Sequence, residues 1–165
     1  MDRQIIVSFQ TCDFTNEYHC TMVAELINQH LVETQGEGAA LPKIRRLRLV
    51  DNLATHPSCF VLLAAVNDDI VGMASCVEPF STVDTEPGIH IQDFVVTKAF
   101  RGIGIETTLL DQCLNFAAGR NCHKVTIIAD NHSTIAPFLQ KGIGFEKTDT
   151  GSWLWQEKKM FRRSD

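Results

Sequence analysis

Several features that would assign the sequence directly to a functional class are absent. Its six cysteines form no CxxC pair, so reduced, buried thiols are expected rather than disulfides or a zinc site. No apolar run approaches the roughly 20 residues of a membrane span, and the N-terminal run is too short for a signal peptide. Basic residues are outnumbered, since 15 lysines and arginines face 20 acids, giving a formal net charge of −5. A general nucleic-acid binder normally has a basic excess, so neither nucleic acid nor a membrane is an expected partner.

What the chain does have is enough apolar sequence for one core. Of its 165 residues, 44% are hydrophobic, which suits one globular domain over residues 1–165. A chain of this length is too short for two domains of ordinary size. The absence of targeting and membrane-spanning runs predicts a soluble, cytoplasmic protein. The acidic balance leans weakly toward a cationic partner such as an amine.

Hydrophobic periodicity predicts a chain in which strands and helices alternate. The predicted strands cover 5–9, 59–66, 70–78, 89–96, 124–130, 145–149 and 151–159, and the predicted helices cover 15–33, 43–57, 104–119 and 131–144. The second helix is expected to turn Ile44, Leu47 and Leu53 to one side. Pro137 should fall in the first turn of the last helix, where no hydrogen bond is lost. The order β-α-α-β-β-β-α-β-α-β-β predicts an α/β fold with a mixed sheet.

The stretch AFRGIGIETTLL, residues 99–110, has the form of an anion site. A helix start leaves backbone N–H groups unpaired and carries partial positive charge. Gly102 and Gly104 allow a tight turn and close approach to a ligand, and Arg101 can add a charge-assisted contact. No Lys-Ser/Thr pair follows Gly104, so this is not a Walker loop. Local features alone leave two interpretations open: a phosphate site, or a glycine-rich helix entry with a solvated arginine.

Segment 89–145 resembles the GNAT superfamily of acetyl-coenzyme A-dependent N-acetyltransferases. The strand IHIQDFVV leads into a loop similar to the family's Arg/Gln-x-x-Gly-x-Gly/Ala motif, with Arg101 and Gly104 in place. The family's later Asn and Gly-Phe appear as Asn131 and GIGFE, residues 142–146, and QDFVV…FRGIGI looks particularly like the polyamine branch. The resemblance implies a GNAT-type acyltransferase fold, with a mixed central sheet, a splayed pair of parallel strands and flanking helices.

The same resemblance implies acetyl-coenzyme A as cosubstrate and no metal. Its binding residues would be Phe94, Val95 and Val96 on the splayed strand, the loop residues Arg101, Gly102, Ile103, Gly104 and Ile105, and Asn131 and Phe138 later in the chain.

Two residues depart from the family pattern. Glu106 stands at the last small position of the loop, where a carboxylate would repel a diphosphate. We expect its side chain to turn to solvent or to a neighbouring cation while the loop amides bind the coenzyme. Phe138 is nearest to the position where relatives often carry a tyrosine that returns a proton to the thiolate, and phenylalanine cannot donate one. The sole tyrosine, Tyr18, lies in the first helix.

The candidate catalytic bases lie on the strand before the loop. His90 matches a position where protein-lysine-acetylating relatives keep a glutamate base. Gln92 matches a position where polyamine-acetylating relatives keep one. An imidazole can serve as a general base near neutral pH. His90 and Gln92 alternate onto one face, while Asp93 would point to the other unless a bulge intervenes. The alternatives are an ordinary strand histidine, an aspartate that pairs across the strand split, or no protein base. His123 and His132 are expected to be solvated loop residues.

The sequence therefore predicts an N-acetyltransferase that moves an acetyl group from acetyl-coenzyme A to a primary amine. The acceptor is left open between a small amine or polyamine and a protein amine, and a homodimer is possible. The first alternative is a non-catalytic coenzyme A-binding or regulatory protein of the same fold, suggested by Glu106 and Phe138. The second is an unrelated α/β binding domain, which would have no affinity for coenzyme A.

Overall fold

A computed structural model describes residues 5–129, 135–141, 145–149 and 152–156, which include four α-helices, two short 3₁₀ helices and nine strands. The helices are α1 Glu17–Gln35, α2 Lys43–Thr55, α3 Ile105–Gly119 and α4 Ala136–Lys141. The strands are β1 Val7–Thr11, β2 Cys59–Val66, β3 Asp69–Val77, β4 Phe80–Ser81, β5 Glu86–Pro87, β6 Ile89–Val96, β7 Lys124–Ile128, β8 Glu146–Lys147 and β9 Ser152–Gln156. The predicted order is confirmed, apart from the short β4–β5 pair between the predicted strands over 70–78 and 89–96. Pro137 lies in the first turn of α4, as predicted.

Seven strands form one mixed sheet in the order β1-β2-β3-β6-β7-β9-β8. All neighbouring strands are antiparallel except β6 and β7, which run parallel. The β2–β3 hairpin closes through Asn67 and Asp68, both with positive φ, which is the backbone of a two-residue hairpin turn. The α/β fold with a mixed sheet is therefore confirmed.

Helices cover both faces of this sheet. Ile105, Leu109, Cys113 and Ala117 of α3, each four residues after the last, are buried in one apolar cluster, the α3-side cluster. On the other face, Val23, Leu26 and Ile27 of α1 form a second cluster, the α1-side cluster, with residues of three strands: Val61, Leu63 and Ala65 of β2, Ile70 and Met73 of β3, and Val95 of β6. Burial on both faces accounts for the continuous apolar runs of β2 and β3.

The prediction that Ile44, Leu47 and Leu53 share one side of α2 is wrong. Ile44 and Leu47 are 58% and 57% exposed, whereas Leu49 and Leu53 pack on the α1-side cluster. The helix carries two apolar stripes, and periodicity alone does not decide between them. Packing against α1 and β2 selects the stripe that contains Leu49 and Leu53.

The first strand also begins later than predicted. β1 spans 7–11 rather than 5–9, because it pairs with β2 from Val7 opposite Val66 to Thr11 opposite Leu62. Ile5 and Ile6 lie before this ladder and are exposed. None of the described helices is long and apolar enough to cross a membrane.

Candidate active site

The parallel strands β6 and β7 separate after a short paired region. Their register is Ile89–Val125, His90–Thr126 and Ile91–Ile127. β6 then continues to Val96, and within the described residues its edge toward β7 has no further strand partner. The splayed pair is therefore present, and Phe94, Val95 and Val96 lie on the strand beside the gap.

The loop after β6 turns through two glycines in the left-handed region. Gly102 has φ +74° and Gly104 has φ +101°, and α3 begins at Ile105. A Cβ at either glycine would meet nothing within 4 Å, so conformation rather than lack of space requires glycine there. Ile103 is exposed at the tip, and Ile105 is buried under the helix.

Glu106 does not turn to solvent or to a cation, so the expectation for this residue is wrong. Its side chain is buried, and its carboxylate accepts the Gly102 N–H, with N–O distances of 3.0 and 3.3 Å. A first-turn carboxylate is favoured by the helix dipole, and here it also satisfies a loop amide. One amide of the predicted anion site thus has an anionic partner from the chain itself.

Arg101 is only partly exposed, and its guanidinium is hydrogen-bonded within the chain. Its Nε donates to the carbonyl of Val96 at 2.7 Å, and its Nη2 donates to Glu33 of α1 at 2.5 Å. The guanidinium thus connects the end of β6 and the start of the loop to α1.

A β-bulge changes which face Asp93 occupies. On β3, Ser75 pairs with Asp93 and the next residue, Cys76, pairs with Ile91, so Gln92 is the extra residue. Asp93 therefore shares a sheet face with His90, as the sequence predicted for the case of a bulge. Asp93 also forms two hydrogen bonds to Ser75 of β3. Its Oδ2 accepts from the Ser75 hydroxyl at 2.5 Å, and its backbone N–H donates to Oγ of Ser75 at 3.1 Å.

His90 is half-buried and hydrogen-bonded across the parallel pair. Its Nδ1 lies 2.9 Å from Oγ1 of Thr126, and that hydroxyl lies 3.5 Å from the carbonyl of Ile89. A hydroxyl has one proton to donate, so if Thr126 donates to Ile89 it accepts from Nδ1–H, and Nε2 keeps its lone pair. Burial lowers the pKa of His90, and the Asp93 carboxylate partly opposes this shift. A neutral imidazole with an accepting Nε2 is the form that a general base requires.

Beside His90, the outer part of the sheet carries an open cavity of about 430 Å³. Its lining residues are Asp84, His90, Lys124, Thr126, Ile128, Thr148, Ser152 and Leu154. Lys124, Thr126 and Ile128 alternate along β7 with the buried residues Val125 and Ile127. This alternation is visible in the sequence, although neither Lys124 nor Thr126 was predicted as a site residue.

His123 is not the solvated loop residue that the sequence predicted. It is buried, with Nδ1 3.0 Å from the Pro87 carbonyl and Nε2 3.0 Å from Asp84. Asp84 lies between β4 and β5 and contacts both His123 and Lys124. Hydrogen bonds from Lys124, Ser81 and His123 hold the pKa of the Asp84 carboxyl well below its usual range.

The remaining predicted residues contribute less to the geometry. Phe138 of α4 is partly buried and packs on the α3-side cluster. Asn131 and His132 lie outside the described residues. Among the residues that are described, no group of three or more His, Cys, Asp or Glu side chains could hold a metal ion.

A family profile agrees with this architecture. The Acetyltransferase (GNAT) family matches residues 12–145, most of the chain, and the chain belongs to this family. Among curated proteins, no sequence matches the chain significantly.

Solved structures with the same fold span most of the chain. Aminoglycoside N-acetyltransferase AAC(6')-Iy in complex with coenzyme A is 17% identical, with a TM-score of 0.71 over 99% of this chain and 98% of that one. An integron cassette protein of V. cholerae is 21% identical, with a TM-score of 0.69 over 87% and 88%. An aminoglycoside acetyltransferase from an uncultured soil sample, in complex with sisomicin, is 16% identical, with a TM-score of 0.66 over 81% and 82%. At these identities the likeness establishes the GNAT fold alone.

Proposed function

We propose that the chain is a single-domain, cytoplasmic N-acetyltransferase that moves an acetyl group from acetyl-coenzyme A to a primary amine. The observation that carries this proposal is the gap between β6 and β7, with His90 and Asp93 on one sheet face beside it. A thioester needs only to be held there next to a neutral amine, with its carbonyl polarised and a proton removed. The coenzyme A and sisomicin in the complexes of two structural relatives support a donor and an acceptor of these classes.

The reaction transfers the acetyl group by direct attack. The amine nitrogen bonds to the thioester carbonyl carbon, the C–S bond breaks and the coenzyme leaves as a thiolate. Nε2 of His90 takes the proton that the amine nitrogen loses, because Nδ1 is engaged with Thr126. Asp93 stabilises the imidazolium that forms, being the one carboxylate that opposes the lowering of the His90 pKa.

The coenzyme would lie along the free edge of β6. Backbone groups of Phe94, Val95 and Val96 would hold the pantetheine, and the amides of Ile103, Gly104 and Ile105 would hold the pyrophosphate. Arg101 and Gly102 would contribute by shaping the loop, since their donor groups already contact Glu33, Val96 and Glu106. Asn131 and Phe138 complete the predicted coenzyme residues. We propose no metal.

A second candidate is a non-catalytic coenzyme A-binding protein of the same fold. One observation favours it: the Glu106 carboxylate occupies a loop amide that a pyrophosphate would use. Phe138, which has no proton to donate to a thiolate, agrees with it.

Steady-state release of free thiol from acetyl-coenzyme A, with a panel of primary amines, separates the two functions. An acetyltransferase releases one thiol for each amine that it acetylates. Mass spectrometry should then show that the product has gained one acetyl group. Coenzyme binding without amine-dependent thiol release would establish the binder. If millimolar coenzyme A does not stabilise the protein, both the acetyltransferase and the coenzyme A-binding function are rejected. Sedimentation in the same buffer would detect a homodimer.

A further inference from the structure

The charges around the open cavity indicate what kind of amine it suits. Its lining contains one acidic side chain, Asp84, and one ammonium group, Lys124, among the described residues. The two lie 2.9 Å apart. The cavity is therefore close to neutral overall and does not present a surplus of carboxylates to an acceptor.

The Asp84 carboxylate is already saturated on the oxygen that faces its neighbours. Oδ2 accepts from the hydroxyl of Ser81 at 2.7 Å and from Lys124 at 2.9 Å, and it lies 3.0 Å from Nε2 of His123. An amine cation that approaches Oδ2 would have to compete with these donors. A polyamine, which needs several carboxylates, finds no unneutralised one in the described lining.

Lys124, by contrast, keeps hydrogen-bonding capacity. An ammonium has three N–H donors, and within the described residues Lys124 donates a hydrogen bond only to Asp84. Its side chain is 29% exposed at the cavity. The Lys124 ammonium can therefore donate a further hydrogen bond, and its positive charge suits an anionic group on the ligand.

The spacing of Lys124 and His90 suits a short molecule. Thr126 is the register partner of His90, and Lys124 precedes it by two residues on the same strand face. Two strand residues span about 6.6 Å, which places the base and the ammonium on neighbouring positions of the cavity floor. Ile128 and Leu154 add apolar surface next to them.

We propose, on the basis of the acetyltransferase function above, that the acceptor is a compact amine that also carries a carboxylate. Its carboxylate binds the Lys124 ammonium, and its amine lies at Nε2 of His90, facing the gap between β6 and β7. The site thereby selects amino-acid-like zwitterions over polyamines and over simple alkylamines.

Matched pairs of amines test this proposal: L-alanine with ethylamine, and γ-aminobutyrate with propylamine, together with spermidine. Binding to the coenzyme A-loaded protein is followed by NMR chemical shifts, and acetylation by kcat/KM. The carboxylated member of at least one pair should be preferred by about 10-fold or more, since a charge-assisted hydrogen bond is lost in its partner. Lys124→Gln should reduce that preference by a similar factor, through the KM or Kd of the carboxylated amine.

Lys43→Gln, an exposed lysine on α2 over the other half of the sheet, is the matched control and should leave the preference unchanged. A preference for spermidine, a preference that survives Lys124→Gln, or no binding of any amine would each overturn the proposal. Lys124-dependent binding of the carboxylated amine without acetyl transfer would keep the zwitterion site and reject the acetyltransferase function.

Discussion

Glu106 shows how one side chain changes the chemistry expected of a loop. A short residue there would leave the Gly102 amide to a ligand, but the buried carboxylate accepts it instead. A coenzyme diphosphate that enters the loop meets this negative charge at close range. Either the diphosphate uses the remaining amides beside the carboxylate, or the carboxylate must move.

Replacing Glu106 by Gln separates its charge from its hydrogen bond. The Gln amide oxygen can still accept the Gly102 N–H, while the negative charge near the diphosphate is removed. We expect the Kd for coenzyme A, measured by calorimetry, to fall several-fold. The gain should be larger at 0.01 M salt, where the Debye length is about 30 Å, than at 0.15 M, where it is about 8 Å.

Glu106→Ala is the companion variant, because it removes both the charge and the acceptor. Tighter binding in both variants would assign the effect to charge. Weaker binding in Glu106→Gln would contradict the expected repulsion and would mean that the carboxylate organises the loop for the coenzyme.

His90 is the residue on which the proposed proton transfer depends. His90→Ala should lower kcat by about 10²-fold or more with little change in the coenzyme Kd, the usual size of a general-base contribution. The base acts when neutral, so the rate should rise with pH through the His90 pKa. Because burial lowers that pKa, the rise should lie below the ordinary value of 6.5. A variant that keeps both its rate and its pH limb would eliminate His90 as the base.

Thr126→Val provides the matched test of ring orientation. It keeps the shape of the side chain and removes the oxygen that contacts Nδ1. We expect a smaller loss of kcat than in His90→Ala, because the base remains but its tautomer is no longer selected.

At the scale of an element, the bulge on β6 brings Asp93 to the face of His90. Ser75 holds this bulge through two hydrogen bonds to Asp93, one to the carboxylate and one from the backbone. Ser75 is almost fully buried, so these hydrogen bonds are shielded from water. Loss of either the Ser75 hydroxyl or the Asp93 carboxylate would leave the other group without this partner.

Asp93→Asn should move the pH limb of the reaction to lower pH. The negative charge of Asp93 favours protonated His90, so a neutral side chain lets the His90 pKa fall further. NMR titration of the His90 ring measures the shift without any turnover. Asn can keep both hydrogen bonds to Ser75, so the bulge should persist. An unchanged His90 pKa in this variant would separate Asp93 from the mechanism.

The elements themselves were largely predictable from the sequence, and the polar contacts of the site were not. Period-3.6 spacing identified α3, and the strand–glycine–helix pattern located the loop, because both are local. The partners of Arg101 and His123 lie 68 and 39 residues away, at Glu33 and Asp84. Only the assembled sheet and helices bring such pairs together, so residue type and spacing could not indicate them. The sheet face on which Asp93 lies could be predicted only for the case that β6 contains a bulge, because a bulge leaves little trace in composition.

At the scale of the whole molecule, coenzyme binding should raise the melting temperature. A ligand at 100 times its Kd stabilises the folded state by about 2.7 kcal/mol. For a protein of this size, that corresponds to roughly 5–10 °C. Differential scanning fluorimetry with acetyl-coenzyme A measures the shift, and no shift at millimolar ligand would contradict the coenzyme site.

Gly104→Val connects that shift to the loop. Its φ of +101° is strained for valine, so the unliganded melting temperature should fall, and the coenzyme-induced rise should largely disappear. Gly119→Ala is the control, because a Cβ there also meets nothing within 4 Å and its backbone has an ordinary φ. A full coenzyme shift in Gly104→Val would remove the loop from the binding site.

A crystal structure of the chain with coenzyme A bound tests the central claim most directly. We expect the pantetheine along Phe94, Val95 and Val96 in the gap between β6 and β7, with the thiol end toward His90. We expect the pyrophosphate on the amides of residues 103–105, beside Glu106. Coenzyme bound elsewhere on the molecule, or a thiol that points away from the face of His90 and Asp93, would contradict the proposed acetyltransferase mechanism.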